Sequence, residues 1–440
     1  MLKRLAALTL VFVLLVTGLG FMTGMAYPES ASPYKGEGKA KNVIFMIPDG
    51  FSTAYATNYR WFKGDEAIWD NFLVGMVKTH AANTEVTDSA AAGTALATGV
   101  KTNNGMISVR PDGKPLQTIL EAAKKAGKST GLVATSTITH ATPAVFASHV
   151  ASRASEADIA PQMLERVDVL LGGGKQYFLP NSEGGRQAER NLIAEAKNKG
   201  YQYVETRDQL RLAKGRKLLG LFAHDAMAAE LDRKHTNEPS LAEMTAKAIQ
   251  TLNQNKKGFF LMVEGSQIDW AGHAHDAAWA MRDIEAFEEA VEVAMDFAKK
   301  DGRTLVVIVG DHDTGGMSVG GYGQYDANLE VLRAVSATGN YMAAQLDKDR
   351  RNVKEVVKKY AGIELTDEEA KVIQSAKQPA NAINEIISER ALVGWSSSAH
   401  TGVDVQLYAF GPHADRFAGL IDNTDVPKIM AKAMKIELKN

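Results

Sequence analysis

The 440-residue chain contains no cysteine. Disulfide bonds therefore cannot stabilise it, and no lipid can be attached through an N-terminal cysteine. Neither sign of charge dominates, since 50 basic residues stand against 52 acidic ones. This balance gives no reason to expect a nucleic-acid or anionic-membrane partner. We therefore expect this chain to be stabilised by core packing, metal ions or oligomerisation.

Long apolar runs are absent after residue 27. Before it, Lys3 and Arg4 precede the uncharged stretch LAALTLVFVLLVTGLGFMTGMAY, which ends in small residues around Gly24 and Ala26. This arrangement predicts a signal peptide over residues 1–26 and export to the periplasm, the cell surface or the medium. The stretch is also long enough to span a bilayer, so an uncleaved anchor is the alternative. Only in that case do we expect a stable membrane partner.

Near-continuous apolar runs alternate with helical patterns along the chain. This alternation predicts an α/β fold with a mostly parallel central sheet and helices on both faces. One helix is predicted to begin on Asp276 and to stop at Gly302. Between about residues 317 and 398 the pattern turns polar and helical, and we interpret this stretch as an insertion into a single domain over residues 27–440. The runs are NVIFMI (42–47), VGMVKT (74–79), TGLVAT (130–135), VDVLLG (167–172), GFFLMVE (258–264), TLVVIVG (304–310) and VQLYAF (405–410).

The stretch VTDSAAAGTALATG (86–99) combines an acid and a hydroxyl with a run of very small residues. One interpretation is an Ala-rich helix packed closely against its neighbours, with Asp88 as its N-cap and Gly99 as its C-terminal stop. The other is a helix N-terminus that a bulky anion can approach, with Ser89 as a nucleophile. Taken alone, the stretch favours the packing interpretation, because short motifs often match by chance.

Carboxylates and imidazoles recur where strands of the predicted sheet end. In an open parallel sheet, ligands bind beyond the carboxyl ends of the strands, so these side chains are expected to meet at one edge. Any one of them alone is more often a turn or cap residue than a metal ligand. Together they predict a site for a dication with hard and borderline ligands. The candidates are Asp49, Glu264, Asp311 and His312 after strands, Asp269 and His273 four residues apart in DWAGH, and His400 in AHTG.

These motifs resemble those of the alkaline phosphatases, in the order found in that family and over nearly the whole chain after residue 27. The resemblance implies a three-layer α/β/α fold, a homodimer, and hydrolysis of small phosphomonoesters at two zinc ions and a third metal. The motifs that carry it are IPDG (47–50), VTDSAAAGTALATG (86–99), THATPAVFASHVASR (139–153), VEGSQIDWAGHAHD (263–276), TLVVIVGDHDTGG (304–316) and AHTG (399–402).

The resemblance also implies a role for each matching side chain. Ser89 matches the nucleophile that becomes phosphorylated, and its oxygen would also face a metal. Arg153 matches the residue that clamps the phosphate, and Asp88 the carboxylate that orients this arginine. The metal positions are Asp269, His273 and His400 for the first zinc, Asp49, Asp311 and His312 for the second, and Asp49, Thr142 and Glu264 for a third site that usually holds magnesium.

Two positions depart from the enteric bacterial form of the family. His140 stands where that form has an aspartate near the third site, and Trp270 stands where it has a lysine that contacts phosphate through water. An imidazole is a softer ligand than a carboxylate, so zinc or cobalt could replace magnesium in the third site. We expect Trp270 to alter product affinity rather than the type of reaction.

The sequence therefore predicts an exported, metal-dependent phosphomonoesterase that forms a phosphoserine. A phosphodiesterase or a sulfatase-like member of the same superfamily is the nearest alternative. A protein that binds metal or phosphate without turnover is the alternative from another class, and we would expect such a protein to have lost Ser89 or Arg153.

Overall fold

The first strand of the described chain lies in the middle of the sheet. In this computed structural model, which describes residues 38–440, β1 (Asn42–Pro48) pairs in parallel with β7 (Phe259–Gly265) and with β8 (Thr304–Val309). Every residue of β1 is buried. A parallel strand covered on both faces needs apolar side chains in both directions, which explains the unbroken run NVIFMI.

Ten strands form one sheet in the order β12-β2-β11-β8-β1-β7-β3-β4-β6-β5, and β9 pairs with β10 in a separate two-stranded ribbon. Within the large sheet, β11 runs antiparallel to both of its neighbours, and the remaining pairs are parallel. The predicted mostly parallel sheet is thus confirmed. The other strands are β2 (Leu73–Lys78), β3 (Ser129–Thr137), β4 (Val169–Gly173), β5 (Gln202–Val204), β6 (Leu218–Leu221), β9 (Asp313–Thr314), β10 (His400–Thr401), β11 (Val405–Phe410) and β12 (Gly419–Asp422).

The α-helices cover both faces of the sheet. They are α1 (Thr53–Lys63), α2 (Ser89–Thr98), α3 (Ile119–Lys125), α4 (Ala141–Ala147), α5 (Glu156–Arg166), α6 (Leu192–Asn198), α7 (Arg207–Leu212), α8 (Glu230–Arg233), α9 (Leu241–Leu252), α10 (Gln267–His273), α11 (Ala277–Asp301), α12 (Glu330–Arg333), α13 (Gly339–Ala344), α14 (Val353–Ala361), α15 (Asp367–Ser375), α16 (Pro379–Arg390) and α17 (Asp425–Met434).

Alternate side chains of β1 enter two different cores. Ile44 and Met46 pack in the core that contains Phe287 of α11, whereas Phe45 packs in the core that contains Leu96 of α2. This alternation follows from the two-residue period of a strand. The helices therefore form an outer layer on each side of the sheet, as the resemblance implies.

Helix α11 begins and ends where the sequence predicts. Asp276 is its N-cap and accepts a hydrogen bond from the backbone N–H of Trp279, and Gly302 ends it in the left-handed conformation at φ 68°. A carboxylate cap and a terminal glycine are standard helix boundaries. The helix therefore ends at Asp301, and β8 begins at Thr304.

Two predictions about chain organisation are not tested by this fold. The signal peptide over residues 1–26 lies outside the described residues. Between residues 317 and 398 the structure has the five helices α12 to α16, and their interpretation as an insertion stays a prediction. Among residues 38–440, every helix is too short or too polar to cross a lipid bilayer.

Candidate metal centre and nucleophile

Helix α2 has the boundaries expected from VTDSAAAGTALATG. The carboxylate of Asp88 accepts the backbone N–H of Ala91, and Gly99 ends the helix at φ 76°. The small side chains let α2 pack closely on α4, because a Cβ added at Gly93 would lie 2.9 Å from Cγ2 of Val145. The packing interpretation is therefore correct, and it leaves Ser89 as the first residue of the helix.

The first group of possible metal ligands consists of Asp49, Asp311 and His312, called the inner cluster below. Asp49 directly follows β1, and Asp311 and His312 come just after β8, so two adjacent strands bring them together. Their ligand atoms all lie within 4.8 Å of one another. His312 Nε2 lies 3.5 Å from Asp49 Oδ1 and 3.2 Å from Asp311 Oδ2. All three residues are buried.

Burial dominates the electrostatics of the inner cluster. It raises the pKa of Asp49 well above the usual value, and the negative charge of Asp311 adds to this effect. It raises the pKa of Asp311 to about 6, with a further contribution from Asp269. Burial also lowers the pKa of His312 well below the usual value. A bound dication would offset the cost of burying these two carboxylates, and the neutral imidazole would offer it a nitrogen lone pair.

The second group consists of Asp269, His273 and His400, called the outer cluster below. Asp269 and His273 lie on α10, and His400 lies on β10. Their ligand atoms also lie within 4.8 Å of one another. Nε2 of His273 and Nε2 of His400 are each 3.4 Å from Asp269 Oδ1, and the two nitrogens are 3.2 Å apart. Three donor atoms thus converge on one point.

Backbone carbonyls fix the orientation of both outer imidazoles. Nδ1 of His273 lies 2.8 Å from the carbonyl oxygen of Ser398, and Nδ1 of His400 lies 2.8 Å from that of Thr87. A carbonyl oxygen can only accept, so each Nδ1 carries the hydrogen and each Nε2 presents its lone pair to the cluster in the neutral ring. This arrangement is typical of metal-binding histidines.

The three side chains of the outer cluster shift one another's pKa. Burial alone would raise the pKa of Asp269, but the hydrogen bonds that His273 and His400 donate from Nε2 when their rings are protonated outweigh burial and hold this pKa well below the usual value. The hydrogen bond with Asp269 raises the pKa of His273. For His400, burial opposes protonation, yet the same carboxylate raises its pKa. Asp269 is therefore ionised and strongly attracts a cation.

Glycine allows α10 to reach the end of the sheet. Gly50 follows Asp49 at φ 76°, and a Cβ added there would lie 2.8 Å from both Asp269 Cα and Thr314 Oγ1. A side chain would thus push the outer cluster away from the inner one. In the observed arrangement the rings of His312 and His400 stack with their centroids 3.6 Å apart.

Ser89 and Arg153 lie beside these clusters. Ser89 is buried, and its Oγ is 3.1 Å from Nε2 of His312. Arg153 donates from Nη1 to Asp88 Oδ2 at 3.0 Å, so the residue before the serine holds the guanidinium. The structure thus brings together the serine, the arginine and the carboxylate that the sequence analysis proposes as a unit.

The residues proposed for a third metal are only partly assembled. Thr142 donates from Oγ1 to Asp49 Oδ2 at 3.0 Å, and burial raises the pKa of Glu264 to about 8. His140 instead accepts at Nε2 from Nη2 of Arg153 at 3.2 Å and contacts Trp270 edge-to-face, with ring centroids 5.7 Å apart. Burial, together with Arg153, lowers the pKa of His140 to about 4, so its ring is neutral. Its metal role stays a prediction.

Unpartnered buried oxygens provide the test of whether metal ions fit this site. Within residues 38–440, the buried atoms without a hydrogen-bond partner include Asp49 Oδ1, Asp311 Oδ2 and Glu264 Oε1. Leaving a buried carboxylate oxygen without a partner is costly unless it binds a proton or a cation. Two of these oxygens, those of Asp49 and Asp311, lie near Nε2 of His312, and such a mixed oxygen and nitrogen set fits the ligand preferences of divalent metals.

Two residues that contribute to the site were not predicted from the sequence. Thr314 donates from Oγ1 to Asp269 Oδ1 at 2.5 Å, and its hydroxyl lies 3.3 Å from His312 Nδ1. His275 is the second of these residues, and its ring stacks on Trp395 with centroids 5.1 Å apart. The segment GDHDTGG contained Thr314, but a threonine next to an acid gives no specific signal.

The match with known proteins covers almost all of the described chain. The alkaline phosphatase family model matches residues 40–436. Alkaline phosphatase 4 of Bacillus subtilis (strain 168) is 44% identical over 431 residues, 92% of this chain and 92% of that protein. The crystal structure of a cold-active alkaline phosphatase from the psychrophile Shewanella sp. has 37% identity and a TM-score of 0.82, covering 89% of this chain and 99% of that one. A TAB5 alkaline phosphatase structure, a histidine-to-glutamate mutant with magnesium bound in its M3 site, has 29% identity and a TM-score of 0.69, covering 91% and 100%.

Proposed function

The chain belongs to the alkaline phosphatase family, and from this premise we propose that it hydrolyses phosphomonoesters through a phosphoserine formed on Ser89. The observation that carries the proposal is the 3.1 Å distance between Ser89 Oγ and His312 Nε2, at a helix N-terminus that also holds Arg153. The membership itself establishes a metal-dependent phosphatase. The covalent intermediate, the zinc ions and export are proposed.

The metal ions would be held by the two clusters described above. The outer cluster would bind the first zinc through Asp269, His273 and His400, and the inner cluster would bind the second through Asp49, Asp311 and His312. Two zinc ions bound there would supply Lewis-acid chemistry, which lowers the pKa of a hydroxyl and neutralises charge on phosphoryl oxygens. The unpartnered oxygens of Asp49 and Asp311 support this assignment.

The protein's own groups would position the phosphoryl group. The guanidinium of Arg153 can donate two parallel hydrogen bonds to phosphoryl oxygens, and Asp88 keeps it in place. The backbone N–H groups in the first turn of α2 also favour negative charge. Ser89 Oγ would then form a bond to phosphorus while the ester P–O bond breaks and the alcohol leaves, and water would hydrolyse the phosphoserine to release phosphate.

The third metal site would use Asp49, Thr142 and Glu264, with His140 beside them. In the TAB5 enzyme, a mutant that has glutamate in place of a histidine holds magnesium in its M3 site. We propose that His140 makes the third site of this chain a weaker magnesium site, or one for zinc or cobalt, because imidazole is softer than carboxylate. The resemblance also leads us to propose a homodimer, a signal peptide over residues 1–26, and export.

The decisive experiment combines metal analysis with a substrate panel. We expect the mature protein to contain zinc and to hydrolyse a phosphomonoester much faster than the matched phosphodiester and sulfate ester. Rapid mixing of Ser89→Ala with the monoester should give no phosphoryl-enzyme and a turnover lower by orders of magnitude, with the metal content unchanged. Ser89→Thr is the matched control, since it keeps a hydroxyl.

Each alternative function gives a different result. Preference for the diester or the sulfate ester would support the superfamily alternatives and contradict a phosphomonoesterase. Metal and phosphate binding without turnover of any ester would support a binding protein. A normal phosphoryl-enzyme burst from Ser89→Ala would refute the nucleophile, and full activity after complete metal removal would refute the metal centre.

A further inference from the structure

A cavity with a strongly cationic lining lies at the end of the sheet opposite the candidate active site. Its volume is about 560 Å³, and the loops that enter β1, β3, β7 and β8 form much of its wall. None of its ten lining residues is acidic, and seven are basic. This basic cavity is defined by Lys39, Lys41, Lys128, Lys256, Lys257, Arg303 and Lys435.

The overall composition does not reveal this local concentration of positive charge. The chain as a whole has a formal net charge of −2, yet seven cations meet in one cavity. Among the ion pairs between residues 38 and 440, none involves any of these seven side chains; the nearest pair along the sequence is Lys439 with Glu437. Like charges that are held together without internal counterions favour the binding of an external anion.

The floor of the basic cavity is held by Lys128. This side chain is 5% exposed, and its Nζ donates to the carbonyl oxygens of Lys41 at 2.6 Å and of Lys257 at 2.9 Å. Burial lowers the pKa of Lys128 to about 8, and the charges of Lys39 and Lys41 add to the effect. The fold thus holds the amine of Lys128 in a buried position, and the backbone segments that hold it carry further cationic side chains.

We propose that the basic cavity binds a phosphate-bearing anion, whose phosphate is either free inorganic phosphate or part of an anionic lipid headgroup. Ammonium and guanidinium groups are the side chains that bind phosphate oxygens most strongly. Free phosphate would be at hand as the product of the proposed reaction. An anionic lipid headgroup would present the same phosphate oxygens to these cations.

The basic cavity is separate from the proposed catalytic site. Lys41 precedes β1 and Asp49 follows it, so the seven-residue strand lies between them. Such a strand is about 23 Å long at roughly 3.3 Å per residue. One phosphate group therefore cannot contact both sites, and binding to each can be measured separately.

The test measures protection of individual lysines from acetylation in the metal-loaded protein. Peptide mass spectrometry would follow Lys39, Lys256 and Lys257 with and without 10 mM inorganic phosphate at constant ionic strength. We expect at least threefold slower acetylation of these lysines in phosphate, and no change at Lys371, which is exposed and far along the chain. A second arm replaces phosphate with vesicles of phosphatidylglycerol and phosphatidylcholine, and uses pure phosphatidylcholine as its reference.

Charge reversal in the basic cavity provides the control. Lys257→Glu combined with Arg303→Glu should remove protection of Lys39 and Lys256 and leave phosphomonoester hydrolysis unchanged. Lys371→Glu combined with Lys377→Glu makes the same change in net charge elsewhere and should keep the protection. A normal circular dichroism spectrum and normal hydrolysis show that each variant is folded.

The two arms identify the source of the phosphate. Protection by inorganic phosphate supports the free anion, and protection by the anionic vesicles alone supports the lipid headgroup. Acetylation of the cavity lysines that is unchanged by inorganic phosphate and by the anionic vesicles overturns the proposal. Protection that persists in the cavity double variant overturns it as well. Because the readout needs no turnover, its failure is distinguishable from failure of the proposed phosphatase reaction.

Discussion

The hydroxyl of Thr314 joins the two clusters of possible metal ligands. Its Oγ1 donates to Asp269 Oδ1 of the outer cluster at 2.5 Å and lies 3.3 Å from Nδ1 of His312 in the inner cluster. The residue itself is fully buried, so water cannot replace the hydroxyl without rearrangement. A group that orients metal ligands in this way commonly controls affinity for the metal.

Replacing Thr314 with valine should therefore weaken metal binding. Valine keeps the shape and removes the hydroxyl, and we expect metal affinity to fall by about 10- to 100-fold, the range seen when such outer contacts are removed. Competition with a chromophoric zinc chelator measures this directly. Thr314→Ser, which retains the hydroxyl, should bind zinc nearly as tightly as the wild type; equal affinities of the valine and wild-type proteins would contradict the assigned role.

Asp88 performs two tasks that substitutions can separate. One carboxylate oxygen caps α2 through Ala91, and the other accepts from Arg153 and from the backbone N–H of Gly105. Asp88→Asn keeps an oxygen for the cap and loses the ion pair, so we expect KM for a phosphomonoester to rise about tenfold, as for a lost charged hydrogen bond of about 1.5 kcal/mol. Steady-state kinetics provides the measurement.

Asp88→Ala should show the additional loss of the cap. Its KM should rise as in the asparagine variant, and its free energy of unfolding should fall by about 1 kcal/mol more. If both variants have the stability and the KM of the wild type, the contacts of Asp88 do not contribute to either property.

The identity of the third metal should depend on His140. We expect His140→Asp to bind magnesium more tightly, because a carboxylate is a harder ligand than imidazole. The measurement is a magnesium titration of the zinc-loaded protein, followed by elemental analysis after dialysis. His140→Asn is the control without charge. A magnesium affinity that is the same in all three proteins would show that this side chain does not face the metal.

The sequence predicted most of the sheet because most of its longer strands are buried and therefore nearly continuously apolar. Each of the seven predicted apolar runs coincides with a strand of the structure, within a few residues. The strands β5, β6 and β12 were not predicted, since three or four residues cannot establish a periodic pattern. The antiparallel direction of β11 was also invisible, because direction depends on the path of the chain between strands.

The candidate site was predicted from residue types at the ends of strands, and its finer contacts were not. Asp49, Asp311 and His312 were expected at one edge of the sheet because they follow predicted strands, and the resemblance grouped them around one metal. That β1 and β8 are adjacent is seen only in the structure. The contact between His140 and Arg153 could not be predicted, since it depends on side-chain orientation. Composition also misled in one respect: a balanced net charge does not exclude the local concentration of cations in the basic cavity.

His275 should act by positioning the outer cluster. Its ring stacks on Trp395, and its Nε2 lies 2.8 Å from the carbonyl oxygen of Ser397. The next carbonyl, that of Ser398, holds His273. The backbone segment that orients a proposed zinc ligand thus rests on His275, which adopts the left-handed conformation at φ 51°.

We expect the zinc affinity of the outer cluster to be about tenfold lower in the His275→Asn variant, within the range for altered contacts around metal ligands. Asparagine tolerates the left-handed conformation, so backbone strain does not account for the effect. Zinc retention during dialysis against a chelator is the readout. His413 also has a positive φ, 67°, so His413→Asn is a matched control that should retain zinc; equal losses from both variants would refute a positioning role.

Lys128 should make the stability of the protein depend on pH in the alkaline range. Its pKa is lowered from 10.5 to about 8 in the folded chain, so between these two values the unfolded chain binds more protons than the folded one. Stability therefore rises with pH across this window and changes little below it. The gain at pH 10.5 is at most about 3 kcal/mol, since one pKa unit corresponds to about 1.4 kcal/mol. The neutral amine still has two hydrogens for the carbonyl oxygens of Lys41 and Lys257, so deprotonation removes the buried charge without breaking either contact.

Denaturant unfolding at pH 7.5, 9 and 10.5 measures the effect as the difference between wild type and Lys128→Gln. That difference should move in favour of the wild type as the pH rises, and a difference independent of pH would show that the buried amine does not titrate in this range.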